Sequence, residues 1–212
     1  MKTIFYLLFL LPMMIFGQSH GIEINASIPG DSIKMKDVYF KTYSLRDIKS
    51  DNGLLVIFTS NTCPFVKAWE KSYSGIYTLA ENNGIGMALI NSNEAFRETT
   101  ESVSEMKKVM ESYEYSMIPY LADKDSELAD LFDANTTPHV FLFNSDGILV
   151  YRGSIDDMFE NKDRSITKNY LFDALIAVGN GQTPKVQTTK NIGCSIKRVK
   201  MNSEKKSYQV IE

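Results

Sequence analysis

The sequence predicts an α/β protein: one mixed β-sheet with helices on both faces, an N-terminal lead-in and a C-terminal extension. Three observations predict it. Of 212 residues, 43% are hydrophobic and 23% charged, ordinary usage that fills one substantial core and not two generous ones. Two short apolar runs separated by a helical pattern give a β-α-β start, which implies parallel neighbours joined by a right-handed crossover. Later, two strand-like runs flank Ser145-Asp146-Gly147, a hairpin signal that adds antiparallel strands.

Taken in order, residue Lys2 is followed by an unbroken apolar run at 4–16 (IFYLLFLLPMMIF). That is too short to cross a bilayer as a helix, which needs about 20 residues. It matches the apolar part of a secretory signal, with Gly17, Gln18 and Ser19 after it. Residues 1–17 are therefore expected to be a signal peptide, cleaved near 17–21, and the protein to be exported, to the bacterial periplasm. No second run of that kind follows, so stable membrane insertion after signal removal is not expected. Residues 22–50 read as a lead-in with alternating patches. Residues 53–59 (GLLVIFT) read as a buried strand. Phe65, Val66, Trp69, Tyr73, Ile76, Tyr77 and Ala80 then recur at helical spacing over 64–81, with Pro64 suited to the first turn. Residues 85–91 (IGMALIN) are a second buried strand, and 94–114 a helix with Val103, Met106, Val109 and Met110 on one face. Pro119 argues against a regular central strand at 117–121. Asp125 is placed to cap a short helix ending at Phe132. The hairpin strands are 139–144 and 148–153, and a last helix runs from about Asn169 to Val178 before Gly179-Asn180-Gly181. The main domain is thus expected over 22–181, with 182–212 as a polar, lysine-bearing extension.

Charge and composition exclude several functions. With 23 Lys and Arg against 26 Asp and Glu, the chain lacks the clustered cationic surface that neutralises phosphates, so no nucleic-acid partner is expected. Two Cys and two His, at Cys63, Cys194, His20 and His139, are too dispersed for a four-ligand zinc site, and no metal is expected. Asp156, Asp157, Glu94, Glu98 and Glu101 read as solvated carboxylates. His139 reads as a packed or solvent-facing strand residue, and Arg152 as a strand residue facing solvent.

Chemistry is concentrated at Cys63, where a buried strand ends and a helix begins. The first turn of a helix presents unpaired N–H groups and about half a positive charge, which favours an anion there. A strand-end loop is also exposed, as a nucleophile must be. Lys67, four residues on, shares a helix face with Cys63. These are conditions for a reactive sulfur. A buried structural cysteine is the other reading that position allows.

The stretch GLLVIFTSNTCPFVKAWE, with Thr137-Pro138 some 75 residues on, resembles the thioredoxin superfamily, and within it the redoxin-type, peroxiredoxin-like (AhpC/TSA-like) proteins. Those carry Cys-Asn-His-Cys-Pro-Tyr-Val-Lys after the first core strand. The likeness continues in INSN at 90–93, in the segment running through TTPHVFLFNSDGILVYRG, and in NIGCSIKR near the end, so it spans roughly 35–198. The resemblance implies a thioredoxin-like fold, a cis Pro138 beside Cys63, and a Thr137 backbone offered to an extended substrate. It implies no bound cofactor.

Departures from the family pattern qualify that reading. Ser60 stands where the family has its first cysteine, and Val66 where a thioredoxin pair would have its second. Ser60 either hydrogen-bonds the sulfur or a peroxide, as a hydroxyl three residues ahead does in peroxiredoxins, or merely replaces the cysteine. Peroxiredoxins also carry a Pro where this chain has Val56. An oxidised Cys63 needs a second thiol to release it, and Cys194 is the remaining cysteine. It either resolves Cys63, forms a permanent clasp with it, or never meets it. The expected activity is that of an exported thiol-dependent oxidoreductase with Cys63 as nucleophile, Ser60 and Cys194 assisting, and Thr137 and Pro138 aligning substrate. Its partners would be a disulfide-containing protein or a small peroxide and an external thiol reductant. The competing expectation is a redox-inactive binding module that lost its first cysteine.

Overall fold

The computed structural model describes residues 21–199. The expected signal peptide and Lys200, Lys205 and Lys206 lie outside the described residues. In chain order the elements are β1 (Met35–Asp37), β2 (Thr42–Tyr43), α1 (Leu45–Ile48), β3 (Gly53–Thr59), α2 (Pro64–Trp69), α3 (Tyr73–Asn82), β4 (Ile85–Asn91), α4 (Val103–Ser112), β5 (Tyr120–Ala122), α5 (Glu127–Leu131), β6 (Thr136–Thr137), β7 (His139–Asn144), β8 (Leu149–Gly153), α6 (Tyr170–Gly179) and β9 (Cys194–Ser195). Seven strands form one sheet in the order β2-β1-β5-β4-β3-β7-β8, and β6 pairs with β9 apart from it. β3, β4 and β5 run parallel, as the β-α-β reading requires, and the remaining ladders are antiparallel. The lead-in supplies the β1–β2 hairpin.

Every residue of β3 is buried, because helices and connections cover both sheet faces and alternate side chains enter different cores. Leu55 and Ile57 join Val66, Trp69, Tyr73, Ile76, Met106, Met110 and the apolar face of α6. Leu54, Val56 and Phe58 point the other way, toward Leu45, Leu128, Phe132, Phe141 and Phe143. Cys63 belongs to the first core. Phe132 meets Phe58 and Phe141 edge-on at centroid distances of 5.3 and 5.1 Å, the arrangement aromatic quadrupoles favour.

Four elements depart from the sequence reading. The helix expected over 64–81 is broken into α2, a 3₁₀ turn at Glu70–Ser72 and α3. The tightening falls where the Trp69 indole donates to Asp156 Oδ2 at 2.8 Å and Glu70 is buried. The helix expected from 94 starts only at Val103. Ser102 caps it, its hydroxyl accepting from the Glu105 N–H at 3.3 Å, because Glu101 turns inward just before. A central strand, β5, does form, starting immediately after Pro119, so that the missing N–H falls outside it. The N-cap position of α5 is Ser126 rather than Asp125, and the Asp123 carboxylate accepts from the Leu128 and Ala129 N–H groups at 2.9 and 3.0 Å.

Candidate functional site

Thr59 and Asn91 are opposite each other at the carboxyl ends of the parallel pair β3–β4, where open α/β sheets commonly place their chemistry. The chain after β3 (Ser60-Asn61-Thr62) leads to Cys63, the residue capping α2. Its three residues converge on one carboxylate. Glu101 Oε1 accepts from the Ser60 hydroxyl at 2.7 Å and the Thr62 hydroxyl at 2.8 Å. Its Oε2 accepts from the Asn61 N–H at 2.9 Å and the Asn91 amide at 2.7 Å. Glu101 is 1% exposed, so the solvated role expected of it is wrong. Four donors hold a buried anion in place and fix the loop in front of the sulfur. Arg97 braces the same turn, donating to the Asn91 and Glu101 carbonyls at 2.5 and 2.7 Å.

Cys63 is 2% exposed, against the expectation of an open strand-end nucleophile. Its thiol donates to the Thr137 carbonyl at 3.1 Å, and the Thr137–Pro138 peptide bond is cis. The cover is the chain's own C-terminal segment. In the β6–β9 ladder Thr137 faces Cys194 and Thr136 faces Ser195. The two cysteines are free thiols that meet at Thr137, to whose carbonyl Cys63 donates and whose partner across the ladder is Cys194. Burial, then the nearness of the Cys63 sulfur, push the Cys194 thiol up to about 11, with the Phe65 backbone and Lys197 acting in the other direction. Gly193 lies on the Thr137–Pro138 backbone so closely that a Cβ there would sit 2.2 Å from the Thr137 oxygen.

The segment is tied down on both sides of Cys194. Upstream, Thr189 N–H donates to the Arg152 carbonyl at 3.1 Å, and the Ser154 hydroxyl to the Lys190 carbonyl at 2.8 Å. Downstream, Ile196 is buried in the second core, and its N–H donates to the Asn135 carbonyl at 2.9 Å. Lys197 N–H donates to Asn93 Oδ1 at 3.0 Å, and Asn93 in turn donates to the Thr59 carbonyl at 3.3 Å. Arg198 binds Asp130 Oδ1 at 2.6 Å and the Ala134 carbonyl at 2.8 Å.

The structure therefore brings Cys63, Cys194, Thr137 and Pro138 together, and directs Ser60 to Glu101. Arg152 is buried rather than facing solvent. It shares the register of Phe141, which lies in the core on the sheet face away from Cys63, and donates to the Ile22 carbonyl at 2.7 Å. His139 is buried against the Phe141 ring, 4.3 Å between centroids. Asp156 and Asp157 are buried as well; Asp157 accepts from the Thr167 and Lys168 N–H groups at 2.8 and 3.0 Å. Among the described residues no group of three or more His, Cys, Asp or Glu could hold a metal, and no helix is long and apolar enough to cross a membrane. The residues that the sequence reading missed are Glu101, Asn91, Asn93 and Gly193. The signal for the asparagines was the paired polar ends of two apolar runs, TSN at 59–61 and NSN at 91–93.

A cis-proline loop beside a cysteine that caps the helix after the first parallel strand defines a redoxin-type protein of the thioredoxin superfamily. Within it, the chain belongs to the AhpC/TSA family, whose model matches residues 26–152; Cys194 and its strand lie beyond that match. An uncharacterised conserved protein from Geobacillus kaustophilus is similar at 30% identity and a TM-score of 0.79, covering 87% of this chain and 97% of that one. A hypothetical protein from Sinorhizobium meliloti is similar at 27% identity and a TM-score of 0.77, covering 86% and 100%. The thioredoxin domain of a thiol-disulfide oxidoreductase from Bacteroides vulgatus shares the fold at 18% identity and a TM-score of 0.51, covering 62% and 88%. No curated protein matches the chain.

Proposed function

We propose that this protein is an exported thiol–disulfide oxidoreductase whose working pair is Cys63 and Cys194. The observation that carries the reading is the meeting of both cysteines at Thr137: Cys63 donates to its carbonyl, and Cys194 is its partner across the β6–β9 ladder. The Cys63 thiolate attacks one sulfur of a disulfide, whose S–S bond breaks and releases one thiolate. Cys194, its proton lost to solvent, then attacks Cys63 Sγ and releases the second thiolate, leaving a Cys63–Cys194 disulfide. Two electrons pass from the pair to the substrate, and an external dithiol restores the pair. No bound cofactor enters this cycle. Once Cys63 is held in the mixed disulfide its charge is gone, and one of the influences holding Cys194 protonated goes with it. The order of events thus follows from the pair itself.

Disulfide exchange fits the surroundings better than peroxide reduction. The sulfur's partner is a carbonyl acceptor, while Ser60, the hydroxyl placed to bond a peroxide, is engaged by Glu101, and the Arg152 guanidinium donates to the Ile22 carbonyl. Export rests on the apolar run at 4–16, and the periplasm is the compartment proposed. The redox-inactive module remains the second reading, favoured by the burial of Cys63 and by Ser60 in place of a cysteine.

The test is oxidation of the reduced protein by a disulfide, followed by non-reducing mass spectrometry. The wild type is expected to yield a Cys63–Cys194 link, and Cys194→Ser a mixed disulfide trapped on Cys63. A folded protein whose Cys63 stays reduced in both is the binding module.

A further inference from the structure

We infer that this site accepts low-molecular-weight disulfides and excludes extended polypeptides, because the chain's own Cys194 and Ser195 pair with the strand whose Thr137 carbonyl accepts from Cys63. The inference rests on the thiol-exchange reading above and adds the substrate class. A polypeptide that presents a disulfide to a sulfur beside a short strand gains its alignment by pairing with that strand's free edge. Here the strand is β6, and β9 lies antiparallel along it, Cys194 opposite Thr137 and Ser195 opposite Thr136. The occupant is fitted rather than merely near. Gly193 allows a backbone approach that any side chain would obstruct, with a Cβ falling 2.2 Å from the Thr137 oxygen and 2.7 Å from its carbon.

Displacing that occupant requires more than opening a two-residue ladder. It is held by Thr189 and Lys190 on the β8 side, and by Ile196, Lys197 and Arg198 on the other. Cys194 is carried on the same segment, so a polypeptide that stripped the segment away would also remove the thiol needed to release it from Cys63. A small disulfide needs neither. It has to bring one sulfur to Cys63 Sγ along the S–S axis, which asks for a local opening at that buried residue and not for release of the whole segment. A depression of about 370 Å³ adjoins the loop ahead of Cys63, lined by Asn61, Thr62, Thr99, Thr100, Glu105 and Val109, none of which belongs to the covering segment. Cys63 does not itself line it, so that room lies beside the loop rather than on the sulfur. The electron balance is that of the cycle above, with a small disulfide as acceptor and an external dithiol as donor.

The experiment is single-turnover oxidation of the reduced full chain by bis(2-hydroxyethyl) disulfide or by insulin. Formation of the Cys63–Cys194 link is followed by mass spectrometry, and each rate is normalised to that oxidant's reaction with dithiothreitol. For the wild type, the small disulfide is expected to be at least tenfold faster than insulin. Gly193→Val, which pushes the segment off Thr137, and Arg198→Ala, which loosens it from the exposed end with both cores intact, are expected to raise the insulin-to-small-disulfide ratio of Cys63 modification at least fivefold. Wild-type rates that are equal, or a ratio unmoved in both variants, would overturn the substrate class while leaving the thiol chemistry standing. Failure of both oxidants on a folded wild type removes the thiol-exchange reading itself, and this inference with it.

Discussion

Cys63 and Cys194 illustrate how two identical side chains acquire different properties from their surroundings. Cys63 caps a helix and donates to a carbonyl, whereas Cys194 sits across the ladder with a thiol raised to about 11 by burial and by its neighbour. Removing the neighbour isolates the second effect. In Cys63→Ala the neighbouring sulfur is gone and burial stays, so the pH midpoint for alkylation of Cys194 is expected to fall below its wild-type value while remaining above that of a free thiol. A midpoint that does not move would mean the two sulfurs are electrostatically independent. At this scale the sequence was informative about position and silent about burial. The strand-to-helix junction placed Cys63 correctly. That a segment more than a hundred residues later would cover it is a long-range fact with no local signature.

Between β3 and α2 the loop is shaped less by its own turn chemistry than by Glu101. One carboxylate satisfies two hydroxyls, a backbone N–H and an amide from two different connections. Glu101→Gln keeps the shape but replaces one acceptor oxygen with an NH₂ that faces other donors. We expect a loss of about 2 kcal/mol in urea unfolding, the scale set by leaving buried donors without an acceptor. Faster alkylation of Cys63 should accompany it, since the loop in front of the sulfur is then less firmly held. A variant as stable as wild type with unchanged Cys63 protection would show that the loop holds itself. The run of polar residues at 94–102 read as the first turns of a long helix because helix formers dominate it. Propensity lost there to the burial of one anion, a tertiary effect that single-sequence periodicity does not register.

The molecule as a whole is two apolar layers on one sheet, and that much was written in the unbroken apolar run of β3 and in the hairpin. Polar groups inside those layers were not legible: Glu70, Asp123 and Asp156 look like surface carboxylates in sequence. All three are buried, and burial raises each above the usual carboxylate value. The sign of the consequence is fixed. A carboxyl easier to protonate when folded favours the native state at low pH, and that contribution is lost as pH rises through its folded value. Glu70→Gln removes it at a site where Oε2 has no hydrogen-bond partner, so the variant is expected to be more stable than wild type at pH 7 by about 1 kcal/mol, with the gain shrinking toward pH 4. Thermal unfolding across that range checks it; a gain that grows on acidification would assign Glu70 a stabilising charge instead. The link between Asn93 and Lys197, 104 residues apart, has a bearing on biosynthesis. The segment that covers Cys63 follows it in the chain, so it is made later than the sulfur it covers. During synthesis Cys63 stays uncovered until β9 arrives, so the finished protein's guard is absent through the period when the nascent chain is most easily captured by a wrong partner.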